Sequence, residues 1–345
     1  MPRVILLALF FISAWKTPCI AQDLQIERSL EIQSIKEHWR AFTEIERKNN
    51  PDFFFLLDSS IKTGNLELSQ AGSSGIYFLH DLNNDPSFVL KPVDEAIFCL
   101  NNPKGFSSYL KDYRAKKDIP SYTSVQREAA SYRIAQLLQV DTITPITLLG
   151  ILSHSTFYTA EENNDLKEKL CSIQPYVKNS LPITDLLQHF FFLGLSEKEI
   201  EQQFDHEDFE NICLFLWVTY DNDANPPNFL TYVKKVDEQN LPIYGIQKID
   251  NGQTFPEKNR GLSSFFWSFP HAENELSEKI LNQIANIPLE EIKKTLALFS
   301  LEASFPSLEE RVLYLQQITK KKITYNKAYK KLQKKFTEQK NRFAK

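Results

Sequence analysis

The chain of 345 residues has few cysteines, four in all, together with nine glycines and one methionine. Cys19 lies in an apolar N-terminal stretch, and Cys99, Cys171 and Cys213 are far apart in the sequence. A disulfide framework and a zinc site both need paired or closely spaced cysteines, so neither is expected. The sequence also lacks His-x-x-x-His and Gly-x-Ser-x-Gly patterns, which leaves zinc-hydrolase and serine-hydrolase classes without support.

Long apolar runs are absent as well, because no segment after residue 21 reaches the roughly 18 apolar residues that suggest a transmembrane helix. The first 21 residues have the features of an export signal: Arg3 gives a positive start, Val4–Trp15 is mostly apolar, and Ala21 is a small residue suited to cleavage. We expect residues 1–21 to be a signal peptide and the protein to be exported or secreted. An uncleaved membrane anchor is the alternative.

Charge is distributed unevenly along the chain. The net charge is −4, yet residues 311–345 hold 12 Lys or Arg residues and one acidic residue, Glu338. The remaining body is therefore acidic, and no nucleic-acid partner is expected. In the basic segment Tyr329, Leu332 and Phe336 recur at helical spacing among lysines, which is typical of an amphipathic helix at an anionic membrane surface. A packed final helix with a solvated lysine face is the alternative.

Hydrophobic periodicity divides the chain into a strand-rich half and a helix-rich half. Strand-like runs are predicted at residues 53–57, 66–69, 76–80, 88–91, 146–152, 156–159 and 169–177, with a turn at 83–86. Helical spacing is predicted at residues 24–47, 123–139, 183–193, 197–204, 209–218, 273–287, 289–299 and 307–336. Two strand-like runs, 229–233 and 243–249, interrupt the second half. This order predicts an α+β fold in two parts.

Two polar segments in the second half have the spacing of a kinase active site. Asp223 precedes Asn228 by five positions, as in kinase catalytic loops, where the Asp aligns the acceptor hydroxyl and the Asn holds magnesium. Asp250 ends an apolar strand with Gly252 close behind, which is where kinases keep a second magnesium ligand. One carboxylate and one amide oxygen suit Mg²⁺, which keeps several waters. A bare turn and a hairpin that ends in an Asx turn are the alternatives.

Residues in the first half supply candidates for nucleotide binding. Lys91 closes the second strand of a hairpin, from which a lysine can reach nucleotide phosphates, and Glu128 opens a helix and can pair with it. A solvated lysine and a favourable charge at a helix N-terminus are the alternatives. The loop before this hairpin has small residues whose backbone N–H groups can approach phosphate oxygens. These residues are Gly72, Ser73, Ser74 and Gly75.

Taken in their order along the chain, these segments resemble those of the type II phosphatidylinositol 4-kinases, which have the phosphatidylinositol 3/4-kinase-like fold. The likeness runs from about residue 69 to about residue 287. The resemblance identifies residues 172–177 as the hinge between two lobes and implies that Gln174 and Val177 lie beside the adenine. The matching segments are 72–78, 90–95, 102–104, 128–131, 172–177, 223–228 and 249–256.

The resemblance implies a bilobal, protein-kinase-like α+β fold. Residues 22–177 would form an N-terminal helix, a strand-rich N-lobe and the hinge, residues 178–310 the helix-rich C-lobe, and residues 311–345 a basic C-terminal helix. It also implies an enzyme that uses ATP and Mg²⁺ to phosphorylate a hydroxyl group of phosphatidylinositol. A protein serine, threonine or tyrosine acceptor is the first alternative.

The same resemblance implies a role for each site residue. Asp223 would orient the attacking hydroxyl, and Lys91 would bind the phosphates with Glu128 as its partner. Asn228 and Asp250 would hold Mg²⁺.

Two departures from the family pattern bear on activity and membrane attachment. The family has an arginine directly after the catalytic Asp, where this chain has Ala224. A nucleotide-binding pseudokinase that serves as an interaction module is therefore a second alternative. Residues 107–122 contain no cysteine, so acylation there is not expected.

ATP use together with an export signal indicates a secreted effector that works in another cell, or a resident of an ATP-supplied lumen.

Overall fold

The computed structural model of the protein describes residues 30, 33–97, 99, 101–105, 119–120, 122–159, 167–259 and 265–343. The predicted signal peptide at residues 1–21 and most of residues 107–122, where no acylation is expected, lie outside the described residues. Among the described residues, no helix combines the length and the apolar character needed to cross a membrane.

The first lobe is built on an antiparallel sheet of five strands: β1 (Leu66–Leu68), β2 (Tyr77–His80), β3 (Pro86–Pro92), β4 (Leu148–Ser153) and β5 (Glu168–Pro175). Their order in the sheet is β1-β2-β3-β5-β4. The hairpin predicted around the turn at residues 83–86 is confirmed, because β2 pairs antiparallel with β3. On its other edge β3 pairs with β5, which places Lys91 opposite Ser172 and Val89 opposite Gln174.

Three helices accompany this sheet: α1 (residues 33–49), α2 (Pro51–Thr63) and α3 (Ser124–Leu137). The prediction of a strand at residues 53–57 was wrong, because this run forms part of α2. Pro51 suits the first turn of a helix, and Phe54 and Leu57 are buried at three-residue spacing against the sheet. A short apolar run with no interruption does not distinguish strand from helix by periodicity alone.

The strand predicted at residues 156–159 was also wrong. The backbone N–H of Thr156 donates to Nδ1 of His154 at 3.1 Å, and this local bond closes a turn. The apolar residue of the run, Phe157, is nevertheless buried, with its ring 5.2 Å from that of Tyr77. The segment therefore contributes to the core without pairing as a strand.

The second lobe is mostly helical and contains a small antiparallel sheet. Helix α6 (His206–Thr219) lies at its centre, and every residue of Asp208–Thr219 is buried. The sheet has the order β6-β7-β8, with β6 (Ser180–Pro182), β7 (Phe229–Val236) and β8 (Pro242–Lys248). The helices are α4 (Ile183–Phe192), α5 (Glu197–Gln202), α6 (His206–Thr219), α7 (Glu278–Ala285), α8 (Leu289–Leu298), α9 (Phe305–Ile318) and α10 (Tyr325–Phe343).

The long helix predicted at residues 307–336 is two helices, α9 and α10, and α7 begins later than predicted. Both differences have one cause, since the chain between α9 and α10 pairs with the segment before α7. The backbone N–H of Leu276 donates to the carbonyl of Ile323 at 3.1 Å, and Glu275 forms a bridge with Thr324. Ser277 then caps α7 by accepting from the N–H of Ile280.

The apolar face of α10 packs against the second lobe, so its apolar side chains belong to the core of that lobe. Leu332 and Phe336 are fully buried. Tyr329 stacks on Trp267 with ring centroids 4.6 Å apart. The packed final helix with exposed lysines is therefore present, and contact of its lysine face with an anionic membrane surface stays a prediction.

Candidate active site

A cleft of about 450 Å³ contains residues of both lobes. The first lobe contributes the loop between β1 and β2 and the end of β3, and the second lobe contributes the segments that follow α6 and β8. Nine of the predicted site residues line the cleft: Gly72, Ser73, Ser74, Gly75, Lys91, Glu128, Asp223, Asn228 and Asp250. Residues separated by up to 178 positions in the sequence are thus brought to one place.

Lys91 connects the two lobes through an ionic cluster in this cleft. Its Nζ donates to Oε1 of Glu128 at 2.5 Å and to Oδ1 of Asp250 at 3.0 Å. Glu128 is buried, whereas the side chain of Asp250 is 43% exposed. The predicted pairing of Lys91 with Glu128 is therefore present, and Asp250 joins it.

Electrostatics within the cluster keep Lys91 and Asp250 charged. The Lys91 ammonium lowers the pKa of Asp250 to about 2, although partial desolvation of this carboxylate in the cleft opposes the shift. Burial opposes the charge of Lys91, but Asp250 and Glu128 outweigh it and raise the pKa of Lys91 above its usual value. Burial raises the pKa of Glu128, with Lys91 acting against it. The cleft therefore holds a fixed cation beside the Asp250 carboxylate.

The segment after β8 turns sharply at Asp250 to present its carboxylate. Asp250 has φ of 56°, in the left-handed region that Asp tolerates better than most residues. Gly252 allows α3 to approach, because a Cβ there would lie 3.3 Å from Cβ of Ser124 and 3.6 Å from Oε1 of Glu128. Close packing of α3 on this turn brings Glu128 within reach of Lys91.

Arg127 fixes α3 to the chain that follows this turn. Its side chain is buried, and its Nη1 donates at 2.5 Å to the carbonyl oxygens of both Thr254 and Phe255. Ser131, one helical turn later, has its Oγ 3.0 Å from Oγ1 of Thr254. Sequence reasoning missed this role. The sequence feature that could have pointed to this role is the position of the arginine, directly before the candidate glutamate at the start of a helix.

The segment after α6 holds Asp223 and Asn228 in contact with each other. Nδ2 of Asn228 donates to the backbone carbonyl of Asp223 at 2.8 Å. Nε2 of Gln253 donates to Oδ2 of Asp223 at 3.2 Å, and the N–H of Ile249 donates to the carbonyl of Asn228 at 2.9 Å. The two loops therefore meet directly, as the kinase interpretation of their spacing requires. The neighbouring Ala224 is buried and adds no charge.

The loop between β1 and β2 is held by residues 102–104, the Asn-Pro-Lys segment of the sequence. Nδ2 of Asn102 donates to the carbonyl of Ser73 at 2.8 Å. Nζ of Lys104 donates to the carbonyls of Gly72, at 3.1 Å, and of Ala71. The resemblance to the lipid kinases includes this segment but implies no role for it. Its position indicates that it supports the shape of the loop.

A buried ionic group lies beneath the same loop. Nζ of Lys169 is 2.9 Å from both Oδ2 of Asp94 and Oε1 of Glu95, and all three side chains are inaccessible or nearly so. The hydroxyl of Tyr77 donates to Oε2 of Glu95 at 2.6 Å. The N–H of Gly75 donates to the Glu95 carbonyl at 2.8 Å, and a Cβ at Gly75 would come within 2.4 Å of Glu95 Oε2. Only glycine fits this close approach.

The two predicted hinge residues occupy different environments. The side chain of Gln174 is buried, and its Nε2 donates to Oε2 of Glu128 at 3.1 Å and to Oγ1 of Thr147 at 2.8 Å. Val177 is partly buried, and its carbonyl accepts from Ser180 Oγ at 2.7 Å. In the described part of the chain, neither lines the cleft. Their placement beside the adenine stays a prediction, and Gln174 orients Glu128.

Asp250 and Asn228 are suitable ligands for Mg²⁺. Within the described residues, no group of three or more His, Cys, Asp or Glu side chains is arranged to hold a metal ion. Asn228 uses its amide nitrogen to contact Asp223, so its amide oxygen is the atom that a cation would contact. Mg²⁺ is commonly bound by one or two protein oxygens, substrate phosphates and waters. The residues present fit this ion in the company of a phosphate ligand.

Comparison with known proteins gives one curated relative. No family model matches the chain. Phosphatidylinositol 4-kinase gamma 6 of Arabidopsis thaliana is 25% identical over 291 residues, which cover 79% of this chain and 43% of that protein. The chain therefore corresponds to less than half the length of this relative.

Two solved kinase structures are similar to the chain at low sequence identity. The Golgi casein kinase with Mn/ADP bound has 11% identity and a TM-score of 0.42, over 77% of this chain and 72% of that one. The Rio2 kinase–ADP/Mg²⁺–phosphoaspartate complex from Chaetomium thermophilum has 13% identity and a TM-score of 0.32, over 82% and 75%.

The architecture itself confirms the predicted fold class. A five-stranded antiparallel sheet with helix α3 beside it forms one lobe, helices around α6 form the other, and the cleft contains residues of both. The chain has a bilobal, kinase-like α+β fold.

Proposed function

We propose that the protein is a phosphotransferase that uses ATP and Mg²⁺ and phosphorylates a hydroxyl group of phosphatidylinositol, as a 4-kinase does. The observation that carries this proposal is the contact of Lys91 with both Glu128 and Asp250 in a cleft that also holds Asp223 and Asn228. A lysine paired with a helix glutamate, next to a metal-binding aspartate, is the arrangement that phosphoryl transfer by kinases requires.

Each of the five charged or amide side chains of the site has a distinct task in this reaction. Lys91 binds the phosphates as a fixed cation, and Glu128 holds Lys91 in place. Asp223 orients the acceptor hydroxyl, while Asn228 and Asp250 bind Mg²⁺. When bound, Mg²⁺ neutralises charge on the phosphate oxygens. Catalysis of this kind consists mainly of positioning and charge stabilisation, so a rigid cleft with fixed charges is sufficient.

The lipid acceptor is proposed on two grounds. One is the name of the 25% identical relative, phosphatidylinositol 4-kinase gamma 6. The other is the exposed face of α10, where Lys327, Lys330, Lys331 and Lys334 follow each other at helical spacing. Residues 320–322, three further exposed lysines, precede the helix. Each lysine near an anionic membrane contributes about 1 kcal/mol of attraction.

We propose that this lysine face lies against anionic lipid by charge alone. The opposite face of α10 is packed on the lobe, so no apolar side chain has to leave the core. Contact of Tyr329 with Trp267 places the helix against the chain that follows Asp250. Membrane binding through α10 would therefore hold the active-site lobe at the surface that contains the acceptor.

A transfer assay tests the proposed reaction. The full chain is incubated with radiolabelled ATP, Mg²⁺, phosphatidylinositol vesicles and a mixture of proteins. We expect label in the lipid, and a loss of at least about a thousandfold in the Asp250→Ala variant. Asp185→Ala, which changes an exposed aspartate of α4, is the matched control and should retain activity.

The same assay separates the two alternative functions. Label found in protein but not in lipid would contradict the lipid acceptor and favour a protein kinase. Nucleotide binding without any transfer would favour a pseudokinase, the alternative that Ala224 motivates. No nucleotide binding at all would contradict the whole proposal.

Vesicle flotation tests the lysine face separately from the reaction. We expect the chain to bind vesicles that contain phosphatidylserine but not pure phosphatidylcholine, and to dissociate at high salt. Changing Lys327, Lys330, Lys331 and Lys334 to Glu should abolish binding. The same change at Lys48, Lys62, Lys198 and Lys294, exposed lysines elsewhere, is the control. Equal loss in both variants would contradict a role specific to α10.

A further inference from the structure

A buried ion pair lies behind the two loops that carry Asp223 and Asp250. Lys248, at the end of β8, and Asp221, just after α6, are both completely inaccessible to solvent. Nζ of Lys248 is 2.7 Å from Oδ2 of Asp221. Neither residue was singled out by the sequence motifs, although a lysine inside the apolar run of β8 is unusual.

Lys248 also fixes the backbone that presents Asp250. Its Nζ donates to the carbonyl of Ile249 at 2.6 Å and to the carbonyl of Asp250 at 3.2 Å. Together with the ion pair to Asp221, the ammonium group therefore has three oxygen partners. Lys91 holds Asp250 by its carboxylate, and Lys248 holds it by its main chain, in a residue whose φ is left-handed.

Asp221 performs the corresponding task for the other loop. Its Oδ1 accepts from the backbone N–H of Asp223 at 2.8 Å, while its Oδ2 contacts Lys248. One carboxylate thus joins the main chain of Asp223 to an ammonium that joins the main chain of Asp250. The N–H of Asn222 also donates to the carbonyl of Gln253 at 3.2 Å, which strengthens the same junction.

We propose that the Lys248–Asp221 pair is a positioning device that sets the separation of Asp223 and Asp250 and thereby the fit of the metal-bound nucleotide. A pair of this kind is costly to bury, and two apolar residues of similar size are often equally stable or better. Because the pair contacts both loops, positioning of these loops explains why an ion pair lies here in place of two apolar residues. The inference rests on the proposed function, since it assigns the pair a role in the same site.

Calorimetry on a charge-free double variant tests the proposal. Lys248→Met combined with Asp221→Asn removes both charges, keeps similar volumes and leaves an oxygen for the N–H of Asp223. ADP affinity without metal should stay within about twofold of wild type. The gain in ADP affinity on adding Mg²⁺ should fall by about tenfold, the effect typical of residues that orient metal ligands. Turnover should fall by about a hundredfold.

A second ion pair of the same lobe provides the matched control. Nζ of Lys234 is 2.7 Å from Oδ1 of Asp208, a buried carboxylate that does not line the cleft in the described part of the chain. Lys234→Met combined with Asp208→Asn should leave both the Mg²⁺-dependent gain and turnover at wild-type values. Thermal unfolding of both double variants separates loss of fold from loss of positioning.

The outcomes distinguish this proposal from the proposed function. A folded Lys248→Met/Asp221→Asn variant with the wild-type Mg²⁺-dependent gain and wild-type turnover would overturn the positioning role. If that variant does not fold, Asp221→Glu, which keeps both charges and moves the carboxylate by one methylene, makes the same comparison. A wild-type chain that binds no ADP in either condition would contradict the proposed function itself, and this proposal with it.

Discussion

At the scale of single residues, Lys91 determines how the site is assembled. It contacts the carboxylates of Glu128 and Asp250, which come from different lobes. Removing it would leave Glu128 buried without its cation, and an uncompensated buried charge is strongly destabilising. The same ammonium keeps the pKa of Asp250 at about 2, so Asp250 is ionised and ready to bind a cation across the physiological pH range.

Glu95, beneath the glycine loop, should make the stability of the protein depend on pH. Burial raises the pKa of Glu95 to about 7, with Asp94 adding to this shift and Lys169 opposing it. In the unfolded chain a glutamate has a pKa of about 4.3. Between these values the folded state binds the proton and the unfolded state does not, so stability falls as the pH rises toward 7.

Urea unfolding at pH 5 and pH 7.5 checks this prediction. Wild type should lose stability relative to Glu95→Gln as the pH rises, by at most about 1.4 kcal/mol per pH unit. The Gln variant keeps an oxygen for the hydroxyl of Tyr77 and has no group to titrate at this position. A stability difference that stays constant over this range would contradict the raised pKa.

The sequence was sufficient to identify the charged residues that line the cleft, but not those buried in the core. Lys91 and Asp250 follow apolar runs at positions where side chains can reach a cleft, so residue type and spacing pointed to them. Lys169 and Lys248 also lie near the ends of strands, yet they look like solvated lysines until their partners, which are 75 and 27 positions away, are known. One sequence does not show such long-range pairing.

At the scale of elements, helix α3 connects the two lobes. Glu128 faces the cleft, and Arg127 and Ser131 contact the segment after Asp250. The orientation of α3 therefore determines whether Glu128 can reach Lys91. Gln174 contributes from the sheet by donating to the second oxygen of Glu128.

Two arginines of α3 provide a matched test of this role. Arg127→Gln removes a buried cation that donates to two carbonyls, and we expect a loss of about 2 to 4 kcal/mol in unfolding free energy. Turnover should fall more than stability alone explains, because Glu128 would lose its position. Arg133→Gln changes a partly exposed arginine of the same helix that pairs with the buried Glu46, so it should also lower stability, but turnover of the folded variant should stay near wild type.

Urea unfolding measures the stability of these two variants, and the transfer assay measures their turnover. Retained turnover in a folded Arg127→Gln variant would show that α3 needs no such anchor. Equal loss of turnover in both variants would contradict a role that is specific to the contact with residues 254 and 255.

Elements were predictable where periodicity was clear and mispredicted where tertiary contacts decide. Helix α3 and the hairpin of β2 and β3 follow from spacing and turn residues. Residues 53–57 were predicted to form a strand, because five consecutive apolar residues fit the two-residue period of a strand as well as the 3.6-residue period of a helix. The break between α9 and α10 depends on pairing of residue 324 with residue 275, which local pattern does not reveal.

At the scale of the whole molecule, the acidic body and the basic helix α10 form one unit. Tyr325, Ala328, Leu332 and Phe336 are fully buried in the second lobe. Phe336 also contacts Tyr220, the residue that ends α6 before the loop of Asp223, with ring centroids 6.2 Å apart. The basic helix is therefore part of the support of the active site and not a detachable tail.

Two truncations test this integration. A chain that ends at Thr319 loses all four buried residues of α10, and removing them should cost more than about 5 kcal/mol. Because many domains have only about 5 to 15 kcal/mol of stability, we expect this chain to lose cooperative unfolding. A chain that ends at Thr337 keeps the four residues and should melt near the wild-type temperature. Cooperative melting of the shorter chain would contradict the prediction.

The most direct measurement of the central claim is affinity labelling with an acyl-phosphate derivative of ATP, which acylates a lysine that contacts the phosphates. Peptide mass spectrometry of the labelled chain should find Lys91 as the main modified residue, and excess ADP with Mg²⁺ should prevent the modification. Labelling of other lysines with Lys91 unmodified, or labelling of Lys91 that ADP does not reduce, would contradict the account.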